Sequence, residues 1–179
     1  MIYTEVDRKY KNRGKSGAEA MIKKESWIYA PVDGTCISME TVADPVFAEE
    51  LLGEGIAIEP ADGRFYAPAD AQVTVLPDSL HAAGFITAAG EELLLHIGLD
   101  TVKLNGRYFK THVRQGDMLL KGDLLLEADL QAIRNAGFQT VTMLLVCSHR
   151  VCRETMPLPG KKITHGDAVF YTIGNQDKR

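Results

Sequence analysis

Residues 80–102 have the sequence LHAAGFITAAGEELLLHIGLDTV, in which two short apolar runs flank a turn of small residues at 88–90. Such an arrangement is typical of a β-hairpin. A tight turn centred midway between positions 81 and 96 would place His81 directly opposite His96, with their Cβ atoms ~5 Å apart. The stretch therefore predicts a pair of histidines on neighbouring strands.

The chain from Trp27 onward repeats this strand-like pattern, with short runs separated by Gly, Pro and Asp. Many short strands at such spacing predict an all-β fold, an antiparallel β-sandwich or barrel. One or two short helices are expected within it, at 45–52 and 130–136, the second capped by Asp129 and stopped by Gly137. The predicted strands are GIAIE at 55–59, QVTVL at 72–76, GFIT at 84–87, ELLLH at 92–96, LLLE at 124–127 and VFYTI at 169–173.

An echo in the sequence points to an internal duplication. APVD at 30–33 recurs as APAD at 67–70, and each copy leads into a strand-like run. Gly-Asp pairs recur at 116–117, 122–123 and 166–167. The repetition favours a duplicated β unit that closes on itself. The alternative is that both motifs are simply common in tight turns.

Length and charge define the domain and the class of partner. The 179 residues suffice for one domain, predicted at 27–174, between a flexible tail or linker at 1–26 and a C-terminal tail at 175–179. Residues 1–24 carry seven Lys/Arg against three Asp/Glu, a net of +4, so a chain total of −4 leaves −8 on the remainder. An acidic domain argues against nucleic-acid binding and suits basic protein partners. With no apolar run of ~18 residues and no secretory h-region, a cytoplasmic location is expected.

The three cysteines, Cys36, Cys147 and Cys152, fit reduced thiols better than a disulfide framework because their number is odd. Cys147, His149 and Cys152 are close in sequence, but their spacing matches no usual zinc site. Cys147 also ends an apolar run, which favours a buried strand end over a metal ligand.

A histidine pair of this kind is suited to group transfer. Two protonated imidazoles repel each other, so the pKa of one of them falls. A neutral imidazole is a nucleophile, and a neighbouring imidazole can hydrogen-bond a phosphoryl group attached to it. Either histidine alone would more often be structural. The pair, followed by Gly98 where a partner's backbone could approach closely, favours a functional site.

Residues 90–102 closely resemble the phosphorylation-site signature of the glucose-family IIA domains of the bacterial sugar phosphotransferase system. KLNGRYF at 103–109, DPVF at 44–47 and GEGIAI at 53–58 also resemble that family, and the similarity runs from about residue 28 to 173. The family's β-sandwich fold agrees with the strand pattern.

By this resemblance His96 is the phosphorylated residue and His81 is its partner. Ser79 stands where the family usually has a threonine, and it keeps the hydroxyl. Leu80 replaces a polar residue commonly found before the first histidine, and AQ at 71–72 replaces the usual GT. Neither change removes a chemical group from the site, but either could alter how a partner fits.

The resemblance also implies a partner-binding surface. Asp44 and Asp100 would be acidic rim residues that meet a basic carrier. Phe47 would belong to an apolar docking face, with inward packing as the alternative.

The implied function is that of a phosphocarrier. His96 would accept a phosphoryl group from the small carrier HPr and pass it to a IIB domain of a sugar permease, with no cofactor beyond the transient phosphohistidine. Unphosphorylated domains of this kind can also restrain transporters or kinases, so the resemblance implies a regulatory role as well.

The alternative from another class is a zinc-binding hydrolase of related β architecture, with the two histidines plus Asp100 or Asp44 as ligands. Against it, the chain lacks a His-x-His pair, and no general base stands out. Zinc shared between the His81/His96 pair and a partner's carboxylate is a further alternative. A biotinyl or lipoyl carrier is disfavoured because no lysine lies at a convincing hairpin tip.

Overall fold

The computed structural model describes residues 25–147, 151–155 and 159–173. These residues form short antiparallel strands, two short α-helices and two 3-10 helices. Each of the six predicted strands is present, so the all-β prediction is confirmed. The strands are β1 Glu25–Tyr29, β2 Gly34–Ile37, β3 Glu54–Pro60, β4 Arg64–Tyr66, β5 Ala71–Val75, β6 Ala82–Thr87, β7 Glu92–Ile97, β8 Phe109–Thr111, β9 Met118–Leu119, β10 Leu124–Ala128, β11 Thr142–Val146, β12 Val151–Thr155, β13 Lys162–Ile163 and β14 Ala168–Ile173. The helices are α1 Pro45–Ala48 and α2 Leu130–Asn135, with 3-10 helices at Met39–Thr41 and Thr101–Leu104.

The strands assemble into three sheets, in the orders β13-β2-β3-β11-β7-β6-β5-β9, β1-β14-β12 and β4-β10-β8. The two small sheets contribute buried side chains such as Phe65 and Phe170 to one main core. The large sheet contributes Phe85 and Leu95 to the same core. Sheets that share a core in this way form the predicted β-sandwich.

The eight-stranded sheet is also covered on its second face. Along β7, Leu93, Leu95 and Ile97 are buried in the main core, while Leu94 and His96 alternate to the opposite face. A smaller group of apolar residues, which we call the outer core, lies on that face. It consists of Met39, Val42, Phe47, Ala57, Leu99, Val141, Met143 and Leu145.

The two predicted helices are present, and the second has the predicted cap and stop, although it ends at Asn135, one residue before its predicted end. Asp129 caps α2, its Oδ1 accepting a hydrogen bond from Ala132 N at 2.9 Å, and Gly137 follows the helix with a left-handed φ of 90°. Helix α1 ends at Ala48, four residues before its predicted end. Glu50 has a φ of 51°, which a continuing helix does not allow.

Two units of the fold repeat each other, which supports the predicted duplication. The pairing of β1 with β14 is equivalent to that of β4 with β10, and both pairings contain a register shift at the same place. The equivalent pairs are Ile28↔Phe170 with Phe65↔Leu126, and Tyr29↔Ala168 with Tyr66↔Leu124.

The segments that follow β1 and β4 bond reciprocally to each other. Tyr29 N donates to Pro68 O at 2.8 Å, and Tyr66 N donates to Pro31 O at 2.7 Å. Both prolines belong to the repeated Ala-Pro motif. Each copy of the motif therefore accepts a hydrogen bond from the end of the strand that precedes the other copy.

Each copy of the motif also holds one Gly-Asp turn through its aspartate. Asp33 Oδ1 accepts a hydrogen bond from His165 N at 2.7 Å, and Asp70 Oδ1 accepts one from Lys121 N at 2.8 Å. The two repeated motifs of the sequence are therefore joined in space as matched pairs.

The first strand begins at Glu25, so the last two residues of the predicted N-terminal tail lie in β1. The rest of that tail, 1–24, lies outside the described residues, as do the predicted C-terminal tail at 175–179 and His149. No helix in the described part of the chain has the length and apolar character needed to span a bilayer.

Candidate functional site

The β6–β7 hairpin turns through three residues rather than two. The loop is 88–90, and Gly90 has a φ of 89°, the left-handed conformation that the last residue of a three-residue loop adopts. The register is therefore displaced by one position, and His96 lies opposite Ala82. The predicted direct pairing of His81 with His96 is wrong.

The two histidine rings nevertheless contact each other. Their centroids are 5.0 Å apart, and the planes meet edge to face at 83°. His81 lies at a bend just before β6, so the alternation of the strand does not fix the direction of its side chain. The predicted juxtaposition of the rings is present, although the strand register does not produce it.

The third predicted catalytic residue, Ser79, orients His81. Its Oγ lies 2.8 Å from His81 Nδ1, in a hydrogen bond whose donor depends on the ring's tautomer. Because Nδ1 is engaged, Nε2 is the nitrogen of His81 that remains for another group.

His96 lies half-buried beside the outer core. The ring of Phe47 is 4.9 Å from the His96 ring at an angle of 56°, and Ala82 and Met143 are its neighbours on the adjacent strands. Among the described residues, His96 Nδ1 is the buried side-chain polar atom that lacks a hydrogen-bond partner. The exposed part of the ring is therefore the part away from Nδ1.

Burial and the neighbouring ring keep His96 uncharged at neutral pH. Burial is the larger cause and the positive charge of a protonated His81 is the second, and together they lower the pKa of His96 to about 4. The Gly98 backbone and the Asp44 carboxylate act in the opposite direction and are outweighed. Burial also lowers the pKa of His81. Both imidazoles are thus neutral near pH 7.

Asp44 and Phe47 approach His96 from α1. Asp44 caps this helix, its Oδ1 accepting a hydrogen bond from Val46 N at 2.9 Å, and its charge acts on the His96 ring. The Phe47 side chain is only 5% exposed and packs in the outer core. Of the two roles predicted for Phe47, the structure therefore supports inward packing, because its ring offers little surface to a partner.

Gly98 is required by the packing of the chain itself. Its φ is 76°, and a Cβ atom there would lie 2.5 Å from both the Gln139 carbonyl oxygen and Thr101 Cγ2. The residue is also buried. This internal crowding explains the glycine, whereas the sequence suggested close approach by a partner's backbone.

Asp100 is exposed at the rim, as predicted, but it is already paired. Its carboxylate lies 2.8 Å from Lys103 Nζ, and both side chains are about two-thirds exposed. The ion pair reduces the negative charge that Asp100 presents, whereas the charge of Asp44 acts on His96.

The donor set gives no support to the zinc-hydrolase alternative. Across residues 25–147, 151–155 and 159–173, no three or more His, Cys, Asp or Glu side chains are grouped so that they could hold a metal ion. Cys147 is half-buried, and burial raises the pKa of its thiol. The neighbouring His149 lies outside the described residues.

The sequence interpretation missed the residues that enclose His96 from the adjacent strands. Ala82 lies opposite it in β6, and Met143, which is fully buried, lies opposite it in β11. A three-residue loop ending at Gly90 would have identified Ala82. The sequence carries no comparable signal for Met143, since β7 and β11 are paired through tertiary structure alone.

Several known proteins resemble this chain in sequence or in structure. The family model described as "phosphoenolpyruvate-dependent sugar phosphotransferase system, EIIA 1" matches residues 26–151. The glucose permease IIA of Mycoplasma capricolum has a similar structure, with a TM-score of 0.75 and 33% sequence identity, over 83% of this chain and 96% of that one.

Two relatives differ in length from each other. The PTS system glucose-specific EIIA component of Halalkalibacterium halodurans is 40% identical over 141 residues, which are 79% of this chain and 78% of that protein. The PTS system beta-glucoside-specific EIIBCA component of Dickeya chrysanthemi is 41% identical over 146 residues, or 82% of this chain. This chain spans only 23% of the length of the second relative.

Proposed function

We propose, because this chain belongs to the EIIA 1 family of the phosphoenolpyruvate-dependent sugar phosphotransferase system, that it is a phosphocarrier whose His96 holds the phosphoryl group. The observation that carries the assignment is the contact of two neutral imidazoles, one of which keeps a buried Nδ1 and an outward edge. The protein acts in the cytoplasm.

His96 suits the role of nucleophile better than His81. A neutral ring that carries its proton on the buried Nδ1 has a free electron pair on Nε2, the nitrogen at the outward edge. His81 instead has its Nδ1 bonded to Ser79, which leaves its Nε2 to act on a group attached to His96. We therefore assign phosphorylation to His96 Nε2 and phosphoryl binding to His81.

The transfer step is an in-line displacement. The electron pair of His96 Nε2 forms the new bond to phosphorus as the bond from phosphorus to the donor nitrogen breaks. The donor ring leaves with the electron pair of the broken bond. The protein contributes position and charge stabilisation rather than acid–base chemistry. His81 Nε2, with Nδ1 fixed by Ser79, donates a hydrogen bond to a phosphoryl oxygen.

The partners we propose are a donor and an acceptor of the phosphoryl group. HPr is the donor. The site presents two exposed apolar side chains on the elements beside it, Val46 and Val102, together with the carboxylate of Asp44. Such a surface suits a basic protein with an apolar contact face. The acceptor is a IIB domain. The names of relatives that are EIIBCA components support this partner, since they combine B, C and A parts in one protein. Control of transporters or kinases by the unphosphorylated protein is a second proposed role.

A phosphorelay assay tests the proposal. The protein is incubated with HPr, the kinase of HPr and phosphoenolpyruvate, and the product is weighed by mass spectrometry. We expect one phosphoryl group on the wild-type protein and none on His96→Ala, with His112→Ala as a matched control that is labelled normally. A wild-type protein that stays unlabelled, or a His96→Ala protein that is labelled, would sink the assignment.

A further inference from the structure

Strand alternation assigns position 81 to the main core, and the ring of His81 is not there. The hydrogen bonding of β6 to β7 extends one step beyond the strand, because Ile97 N donates to His81 O at 2.7 Å. Side chains at opposed positions share a face of the sheet, and Ile97 is fully buried in the main core. An extended backbone at 81 would therefore direct His81 away from His96.

Leu80 departs from extended structure at the position where this change of direction is needed. Its φ is 51°, a left-handed conformation that is uncommon for a residue with a branched side chain. A hydrogen bond from Leu80 N to Pro77 O, 2.9 Å long, closes a turn at this point. Residues with a Cβ incur roughly 1–2 kcal/mol in this conformation, so the surrounding structure must stabilise it.

The side chain of Leu80 provides that stabilisation. It packs against the main core, on the side of the sheet to which alternation would have assigned position 81. On the opposite side, His81 meets the His96 ring at 5.0 Å and bonds to Ser79 at 2.8 Å. The turn thus exchanges the two side chains, placing the leucine in the core and the imidazole in the site.

We infer that Leu80 is a positioning residue of the phosphotransfer site: its left-handed backbone directs the His81 ring onto His96, and its core-anchored side chain stabilises the fold around that turn. The inference rests on the proposed function for its effect on phosphotransfer. Its structural part, the contact between the rings, can be tested without that function.

Two substitutions separate the backbone requirement from the packing requirement. Leu80→Val keeps an apolar side chain, but its β-branch resists a positive φ, so the His81 ring should be misdirected. Leu80→Asn loses the core contact, but asparagine adopts the left-handed conformation readily, so the ring should stay in place.

We expect phosphotransfer from HPr to fall about 100-fold in Leu80→Val, the size of effect that a displacement of ~1 Å at a reacting group produces. Leu80→Asn should transfer within about threefold of the wild-type rate, although it unfolds at lower urea concentration. Ring-proton contacts between His81 and His96, observed by NMR, should be present in the wild type and Leu80→Asn and absent in Leu80→Val. The His96 titration midpoint should rise in Leu80→Val, because the charge of His81 has moved away.

Retention of the ring contact in a folded Leu80→Val, or its loss in Leu80→Asn, would overturn the inference whatever the phosphotransfer rates. If Leu80→Val fails to fold, Leu80→Asn alone decides through the same NMR contact. A wild-type protein with the ring contact that takes no phosphoryl group would count against the proposed function and leave the structural inference standing.

Discussion

His96 owes its pKa of about 4 to burial first and to the neighbouring His81 ring second. We expect its ring-proton NMR signal to titrate with a midpoint near 4 in the wild-type protein. In His81→Ala the midpoint should rise, because one cause of the depression is removed and Asp44 still favours the protonated ring. A wild-type midpoint at the ordinary value of about 6.5 would contradict the placement of the ring.

The same shift makes the protein less stable in acid. The pKa of His96 is lower in the folded chain than in the unfolded chain, so the unfolded chain binds more protons as the pH falls below about 6.5. The free energy of unfolding that the neutral His96 ring contributes is fully present above that pH. Up to about 3 kcal/mol of it is lost as the pH approaches about 4. Urea unfolding at several pH values should show this decline, and it should be weaker in His96→Gln. Parallel pH dependences for the two proteins would refute the prediction.

At the scale of single residues, the sequence identifies the chemistry better than the geometry. His81 and His96 could be chosen from their imidazoles and Ser79 from the family resemblance, and the structure brings all three together. Leu80 could not be foreseen, because a leucine gives no sign that its backbone will be left-handed. The inward packing of Phe47 depends on the outer core, which forms only when β3, β7 and β11 are paired.

At the scale of elements, the segment after β7 depends on a glycine. Gly98→Ala should destabilise the fold by about 3 kcal/mol, because it adds strain at a φ of 76° to a close contact with Gln139 and Thr101. Gly137→Ala is the matched control. Its φ is 90° with open space around the added Cβ, so about 1 kcal/mol of strain is expected. Urea unfolding measures both, and equal losses would show that the contact at Gly98 adds nothing.

The strands of the hairpin were predictable, but their register was not. Alternating and apolar runs identify β6 and β7, whereas the register depends on whether the loop has two residues or three. Gly90 adopts a φ of 89°, which completes a three-residue loop, and the longer loop moves every cross-strand pair by one position. Strands as short as β9 and β13, with two residues each, carry too little pattern to be recognised in the sequence.

At the scale of the whole molecule, the duplicated units are joined by two aspartates that differ in the number of hydrogen bonds their carboxylates make across the units. Asp70 holds Lys121 N alone, while Asp33 holds both His165 N and His165 Nδ1, the latter at 2.6 Å. We expect Asp70→Ala to lower the free energy of unfolding by about 1 kcal/mol and Asp33→Ala by about 2 kcal/mol at pH 7.

The difference in the free energy of unfolding between those two variants should also depend on pH. His165 holds the pKa of Asp33 below its usual range, so the stability from this carboxylate is present above about pH 4 and is lost as the pH falls through the lowered value. Urea unfolding of the wild type, Asp33→Ala and Asp70→Ala at neutral and acid pH measures it. Asp33→Ala and Asp70→Ala with the same stability at neutral pH would contradict the account.

The duplication was visible in the sequence because the same backbone problem recurs. Each copy of Ala-Pro-x-Asp must hold a crossing strand and a Gly-Asp turn, and the residues that do so are restricted. The way in which the copies interlock was not visible, since Tyr29 bonds to Pro68 and Tyr66 bonds to Pro31 across a long separation in sequence.

The most direct test of the central claim is to locate the phosphorus atom on the protein. The chain, labelled with nitrogen-15 at histidine and phosphorylated by HPr, is examined by NMR for coupling between phosphorus and a ring nitrogen. The account predicts a single coupled nitrogen, Nε2 of His96. Coupling to Nδ1 of His96, or to any nitrogen of His81, would contradict it.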